Sequence, residues 1–537
     1  MENNFGIGNV NGEEDNKTAL SVNKLNEGKE SIQTTFSISS FNNKNESFSS
    51  LTDNSESTEE LNERKLSPRS ALIPFVDPLC NPKKPVKIQF SDISSAAFNI
   101  RDGIVRTPTM RSKSFSSMFG VDLYLKREYL HVTGSFKERG ARFALIRLNE
   151  EQKRIGVIAA SAGNHALALA YHGQQLGIPV TVVMPKCAPL MKINSCDSFG
   201  AKVILHGLNI QEFTVVMPKC APLMKINSCD SFGAKVILHG LNIQECKLHA
   251  YELAQENKQK YINGFDNPDV IAGQGTIGLE ILEEVKDVDA ILVPVGGGGL
   301  IAGVALAVKT LKPEVSIIGI ESEICPSFAN ALNGTNDPLF PDQSLADGLS
   351  VPTVGSNALL IAQGLIDQMI TVSEVGSNAL LIAQGLIEQM ITVSEGSIAL
   401  AILRLIEVEK SVVEGGGAVG LAALVSGKLD HLRGKRVVAI LTGGNIDTTV
   451  LGRTIERGLA VDGRLIKFDV VVSDRIAELT AEIAKIGIAE LTAEIAKIGA
   501  SIKEIFHERA WLSANIHSVM VKIVCETRGE QHVFGWN

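Results

Sequence analysis

The sequence predicts an α/β protein built on parallel sheets. Short apolar, β-branched runs alternate with helical stretches: GVIAAS, HALALAYHGQQLG and PVTVVMP, then DAILVPVGGGG, LIAGVALAVKTL and VSIIGIE. The strand runs lack polar alternation, which marks strands covered on both faces. Repeated strand–helix order with such strands implies parallel pairing.

Taken in order, residues 1–75 are rich in Ser, Asn, Glu and Lys with few apolar positions. Burial there cannot offset the entropy of ordering, so the expectation is a disordered tail. Residues 76–462 carry the alternating pattern, with one parallel-sheet subdomain at 155–260 and a second formed by the remainder. Residues 463–537 read as strand (IKFDVVVSD), helix (IAELTAEIAKIG), strand (SIKEIFHERA) and strand (HSVMVKIVCETRG), a small α+β unit. The apolar stretch Ala290 to Val308 contains four consecutive glycines and a proline, so it reads as strand, loop and helix, not as a membrane span.

The 537 residues are 45% hydrophobic and 21% charged, with a formal net charge of −9. An acidic balance disfavours nucleic acid as a partner, because phosphate binding needs a basic face. Eight scattered cysteines without a CxxC pair fit reduced thiols and a cytoplasmic protein. The N-terminus shows no signal-peptide pattern.

Three segments are tandem duplications. Thr181 to Glu212 recurs as Thr214 to Glu245, Val354 to Glu374 as Val375 to Glu395, and Ile476 to Gly487 as Ile488 to Gly499. Their unequal lengths and single repetition exclude a solenoid. One copy of each can take the native slot, and the other must loop out.

Four motifs sit at element ends. Thr133-Gly-Ser-Phe-Lys-Glu-Arg-Gly140 places Lys137 at a helix start between small residues, where partial burial favours the neutral amine; most lysines are simply solvated. Ser161-Ala-Gly-Asn-His165 joins a strand to a helix N-terminus, which favours a carboxylate or phosphate and equally reads as an ordinary cap. Gly296-Gly-Gly-Gly-Leu300 lets backbone wrap a phosphate, without the Lys-Ser/Thr of a Walker loop or the spacing of a dinucleotide fingerprint. Thr442-Gly-Gly-Asn445 ends a strand where open α/β sheets bind ligands, or caps a helix.

The order of these motifs resembles the fold-type II pyridoxal-phosphate enzymes (tryptophan synthase beta-like), most closely the threonine dehydratase and serine racemase family. The resemblance implies pyridoxal 5'-phosphate as cofactor and a small amino acid as substrate. Lys137 would hold the cofactor and move the Cα proton, with Phe136 beside the ring. Asn164 would bond the ring hydroxyl, Gly296, Gly297, Gly298, Gly299 and Leu300 would cradle the phosphate, and Thr442 would face the pyridine nitrogen. A neutral hydroxyl there suits β-elimination over transamination. Glu414 matches a family glutamate near the cofactor. Ser161, Ala162, Gly163, Asn164 and His165 would hold the substrate carboxylate. The implied activity is deamination of L-threonine to 2-oxobutanoate and ammonia, and of L-serine to pyruvate, within amino-acid catabolism or isoleucine biosynthesis. A homo-oligomer, dimer or tetramer, is implied by the same analogy, with no membrane or nucleic-acid partner.

Some residues depart from the family pattern. Serine racemases carry a second serine in the loop where Ala162 stands, which disfavours racemisation here. Asn263-Gly264 replaces a usual His-Pro. The family metal site would use Glu321, the Cys325 carbonyl and a carboxylate, but Ser327 occupies the carboxylate position, so no metal is expected. The C-terminal region resembles an ACT-like regulatory domain, in SDR…AEL and IKEIFHERAW, but lacks the Pro-Gly-Gly turn after SDR and ends early. Two other readings stand beside the dehydratase: a serine racemase, and an inactive or regulatory protein disrupted by its duplications.

Overall fold

The computed structural model describes residues 19–21, 35–38, 77–161, 163–184, 195–196, 198–205, 243–335, 337–339, 344–365, 391–473, 492–493, 495–508 and 518–529. The chain forms two compact units, residues 62–455 and residues 1–61 with 456–537. The boundary falls inside the helix Thr448–Val461.

The larger unit holds two sheets. One orders β11 (Ile391–Val393), β10 (Ser316–Ser322), β9 (Ala290–Pro294), β12 (Arg436–Leu441), β4 (Asp122–Arg127) and β3 (Thr109–Arg111). All neighbours are parallel except the edge strand β3, which runs antiparallel to β4 and so departs from the all-parallel expectation. An edge strand has one neighbour, so a short antiparallel hairpin closes the sheet without a crossover. The central strand β9 is wholly buried, as its unbroken apolar run predicts. The other sheet is parallel throughout: β7 (Lys202–Leu205), β6 (Val180–Met184), β5 (Val157–Ala160) and β8 (Lys260–Tyr261). The apolar stretch at Ala290 resolves into β9, a glycine loop and the helix Gly299–Leu311. Among the described residues, no helix is long and apolar enough to cross a membrane.

The structure shows how the duplications are accommodated. Strands β6 and β7 come from the first copy of the first repeat, and the helix Ile243–Glu256 begins in the last residues of the second copy. The residue before each copy distinguishes them. Val180 is buried beside Gly173, where even a Cβ would lie 2.2 Å from Val180 Cγ2. A sheet built from the second copy would put Phe213 in that place and overpack it. The second repeat is also shared: its first copy supplies the helix Ser356–Ala362 and its second supplies β11. For the third, helical residues Thr492–Ala493 and Ile495–Lys497 belong to the second copy; residues 474–491, with the first copy, lie outside the described residues.

The helix Lys137–Ile146 is fixed by a buried ionic cluster. Arg139, fully buried, donates from Nε to Glu128 Oε2 at 2.7 Å and from Nη2 to Glu128 Oε1 at 2.8 Å. Its Nη1 and Nη2 also reach the two oxygens of Glu280 at 2.7 and 2.8 Å. Lys126, equally buried, donates to Glu280 Oε2 at 2.7 Å. His131 Nε2 lies 3.0 Å from Glu128 Oε2. The cations hold the Glu128 carboxyl well below its usual pKa despite complete burial. At the next residue, Gly140 meets the helix Pro268–Glu284 backbone to backbone: a Cβ on Gly273 would lie 2.6 Å from Gly140 Cα.

The second unit contains an antiparallel sheet ordered β1 (Ala19–Ser21), β2 (Thr35–Ile38), β13 (Leu465–Ser473), β15 (Ser518–Glu526) and β14 (Ser501–Glu508). The last three strands fall where the sequence places them. The first two correct the expectation of a wholly disordered tail. β2 pairs Phe468 with Ile38 and covers the open hydrogen-bonding edge of β13; the rest of residues 1–75 lies outside the described residues.

Arg139→Met would leave the buried Glu128 without its guanidinium and Glu280 with Lys126 alone, so urea denaturation should show a loss of about 3–5 kcal/mol. A loss under about 1 kcal/mol would mean that the cluster does not hold this helix.

Candidate active site

The loops after β5, β9 and β12 and the start of the helix Lys137–Ile146 converge on one cavity of about 600 Å³. Phe136, Lys137, Ser161, Gly163, Asn164, His165, Gly296 to Gly299, Leu300, Glu414 and Thr442 all line it. The structure therefore brings together every site residue expected from the sequence except Ala162, which lies outside the described residues.

Lys137 is the first residue of its helix, and Phe136 is the cap. Its Nζ donates to the Gly264 carbonyl at 2.6 Å and stands 5.0 Å from the centre of the Phe136 ring. Desolvation pulls its pKa from 10.5 down to about 8, while the charge of Glu414 acts in the opposite direction. A neutral amine is thus within reach near physiological pH, as a nucleophile or proton acceptor requires.

Opposite, Gly298 caps the helix Gly299–Leu311 with φ +92°, a conformation that glycine adopts without strain. A Cβ there would also lie 2.2 Å from the Phe328 ring. The first-turn amides of that helix have no carbonyl four residues back to bond and offer donors to an anion. The helix Asn164–Leu176 presents a second N-terminus, capped by Gly163. Ser161 Oγ accepts from the Gly163 amide at 3.3 Å.

Asn164 Nδ2 donates to Glu414 Oε1 at 2.7 Å. Glu414 itself caps the helix Gly415–Val425 and is buried. Thr442 is buried, and its carbonyl accepts from the Phe136 amide at 3.0 Å, tying the end of β12 to the lysine loop. The His165 imidazole turns away, with Nε2 bonding the Ile262 carbonyl at 3.1 Å. Burial, then the charge of Lys137, lowers its pKa to about 3, so it is neutral and supplies no cation for a carboxylate.

Sequence reasoning noted Asn263-Gly264 only as a departure. Asn263 Oδ1 accepts from the amides of Phe265 and Asp266 at 3.0 and 2.9 Å, a turn that aims the Gly264 carbonyl at Lys137. The loop Asp347 to Ser356 forms another wall and was not singled out; its run of Gly, Ser and Pro (DGLSVPTVGS) was the available signal. Glu321 accepts from the Phe328 and Ala329 amides at 2.8 and 2.9 Å, and burial raises its pKa to about 8. It caps a short helix, and Ser327 donates instead to the Val351 carbonyl at 2.6 Å. Among the described residues, no group of three or more His, Cys, Asp or Glu side chains is arranged to hold a metal.

A family profile described as "Pyridoxal-phosphate dependent enzyme" matches residues 100–212 and 208–377. The chain belongs to that family. The two matched segments overlap at residues 208–212, the end of the first copy of the first repeat. The chain is 36% identical over 454 residues to an L-threonine ammonia-lyase of Thermotoga maritima, covering 83% of this chain and 95% of that protein. Among solved structures, it is similar to threonine deaminase isoform 2 of Solanum lycopersicum (TM-score 0.54, 30% identity, 70% of this chain and 95% of that one). It is also similar to maize serine racemase (TM-score 0.54, 27% identity, 70% and 98%). Pyridoxal phosphate is the cofactor of the family, and the cavity fits it: one desolvated lysine amine, unbonded helix N-terminal amides for a phosphate, and neutral polar groups for a ring.

Capture of pyridoxal phosphate by the apoprotein should therefore rise with pH through a midpoint near 8 and level off above it, because the amine is neutral above its lowered pKa. Glu414→Gln removes the charge that raises the pKa, so its midpoint should fall. Absorbance-monitored mixing across pH gives both values. A midpoint near 10.5 would contradict the desolvated amine.

Proposed function

We propose that this enzyme deaminates L-threonine to 2-oxobutanoate and ammonia, and L-serine to pyruvate. The observation that carries the reading is the Lys137 amine, with its pKa lowered to about 8, sharing one cavity with two helix N-termini and the neutral Thr442. The identity to the Thermotoga L-threonine ammonia-lyase, over nearly that protein's whole length, supports the same chemistry.

In this reading, Lys137 would hold pyridoxal phosphate, which when bound would supply an electron sink for the Cα carbanion. The amides at the start of the helix Gly299–Leu311 would hold its phosphate, Asn164 its ring oxygen, and Thr442 would offer its ring nitrogen an uncharged hydroxyl, which suits elimination. The Ser161 hydroxyl and the amides at the start of the helix Asn164–Leu176 hold the substrate carboxylate. Lys137, neutral, takes the Cα proton at Nζ. The departing β-hydroxyl takes up that proton and leaves as water, and the released enamine hydrolyses to the oxo acid and ammonia.

The racemase reading finds support in the maize structure but needs a second base, and the loop Ser161 to His165 carries Ala162 in place of the second serine of racemases. The reading as an inactive protein is disfavoured because the described residues of the larger unit form both sheets around the cavity that holds Lys137. The described cysteines Cys80, Cys325 and Cys525 are free, which supports a reducing, cytoplasmic setting. A homo-oligomer rests on analogy with the family alone.

Purified protein given L-threonine should release 2-oxobutanoate and ammonia in equal amounts, and L-serine should give pyruvate in large excess over D-serine. Lys137→Ala should abolish both reactions. Turnover retained in Lys137→Ala, or D-serine as the main product, would overturn the assignment.

A further inference from the structure

We infer that Asn445 is a positioning residue: it fixes the amide of Asn164 so that the donor end, not the acceptor end, faces the cofactor. The inference rests on the reading of Asn164 as the group that bonds the ring oxygen. Asn445 Nδ2 donates to the Thr133 carbonyl at 2.7 Å and to Asn164 Oδ1 at 2.9 Å. Asn164 Nδ2 then donates to Glu414 Oε1 at 2.7 Å.

The polarity of this relay is forced at both ends. A backbone carbonyl only accepts, so the atom of Asn445 facing Thr133 must be its NH₂. Both hydrogens of that group are used, so the Asn164 atom it meets must be the oxygen. At the other end, an ionised carboxylate only accepts, which requires the Asn164 NH₂ to face Glu414. One hydrogen of Asn164 remains, on the donor end, for a ring oxygen in the cavity.

The fold also holds Asn445 in place. Gly134 has φ +72°, which glycine adopts without strain, and a Cβ there would lie 2.5 Å from Asn445 Oδ1, so a side chain at position 134 would crowd the Asn445 amide. The Gly444 amide donates to the Gly134 carbonyl at 3.0 Å, and the Phe136 amide to the Thr442 carbonyl at 3.0 Å. The TGGN turn is thus stitched to the lysine loop on either side of the relay. Asn445 makes no contact with reacting atoms in this account; it acts through Asn164.

Asn445→Asp keeps the shape and reverses the polarity. Its carboxylate would accept from Asn164 Nδ2 and turn the Asn164 oxygen toward Glu414 and the cavity. Spectral titration of the apoprotein with pyridoxal phosphate should show roughly tenfold or weaker binding, the loss of one hydrogen bond to a charged group. Adding Glu414→Gln supplies a donor for the flipped oxygen. Compared with Glu414→Gln alone, the double variant should recover thermal stability but not cofactor affinity, whereas a merely structural role predicts that the two recover together. Should Asn445→Asp not fold, Asn445→Ala removes the donors without adding charge and should still weaken binding. Wild-type affinity in the folded variant, or joint recovery in the double variant, overturns the inference. Asn164→Ala separates the layers. If its affinity is unchanged, the reading of Asn164 fails, and the inference with it. If Asn164→Ala binds weakly while Asn445→Asp binds normally, only the inference fails.

Discussion

The burial of Arg139 between Glu128 and Glu280 is the constraint on which the site depends. A fully buried guanidinium must spend its donors on acceptors fixed in place, and the two carboxylates come from different parts of the chain. Glu128 follows β4, and Glu280 lies on the helix that meets Gly140. Such a cluster adds little net stability compared with a well-packed apolar core, but it penalises every misplacement of its members. Lys137 is two residues before Arg139 on the same helix, so its backbone cannot shift without breaking these bonds.

The chemistry follows from where that anchor puts the amine. Nζ leaves the ionic cluster behind and enters a cavity where Glu414 is the charge that raises its pKa. Desolvation outweighs that carboxylate, so the amine sheds its proton more easily than a surface lysine. Neutral groups surround it: His165 is held uncharged by burial, and Thr442 offers only a hydroxyl. The backbone amides at two helix starts offer donors to an anion, and Lys247 also lines the cavity.

Much of this was legible in the sequence. Strands β5, β9, β10 and β12 announced themselves as unbroken apolar runs, and the four motifs fell at element ends because glycines and small polar residues are required there. The residues around Lys137 that tune it were harder to read. Gly264 acts through its carbonyl, which every residue has, and Asn263 acts by shaping a turn. Asn445 stood in a noted motif, but its two partners, Thr133 and Asn164, lie far away in the chain. The pairing of residues 35–38 with β13 was invisible because a three- or four-residue strand has no periodicity to detect. The duplications left the choice of copy open, and packing at Val180 supplies the reason that the first copy fills the small sheet.

The central claim is that the fold makes Lys137, among all the lysines of the chain, the one that captures pyridoxal phosphate. Borohydride reduction of the protein with bound cofactor, followed by proteolysis and peptide mass spectrometry, tests it directly. The account predicts one pyridoxyl group per chain, on the peptide carrying Lys137. A label on another lysine, or spread over several, would contradict it.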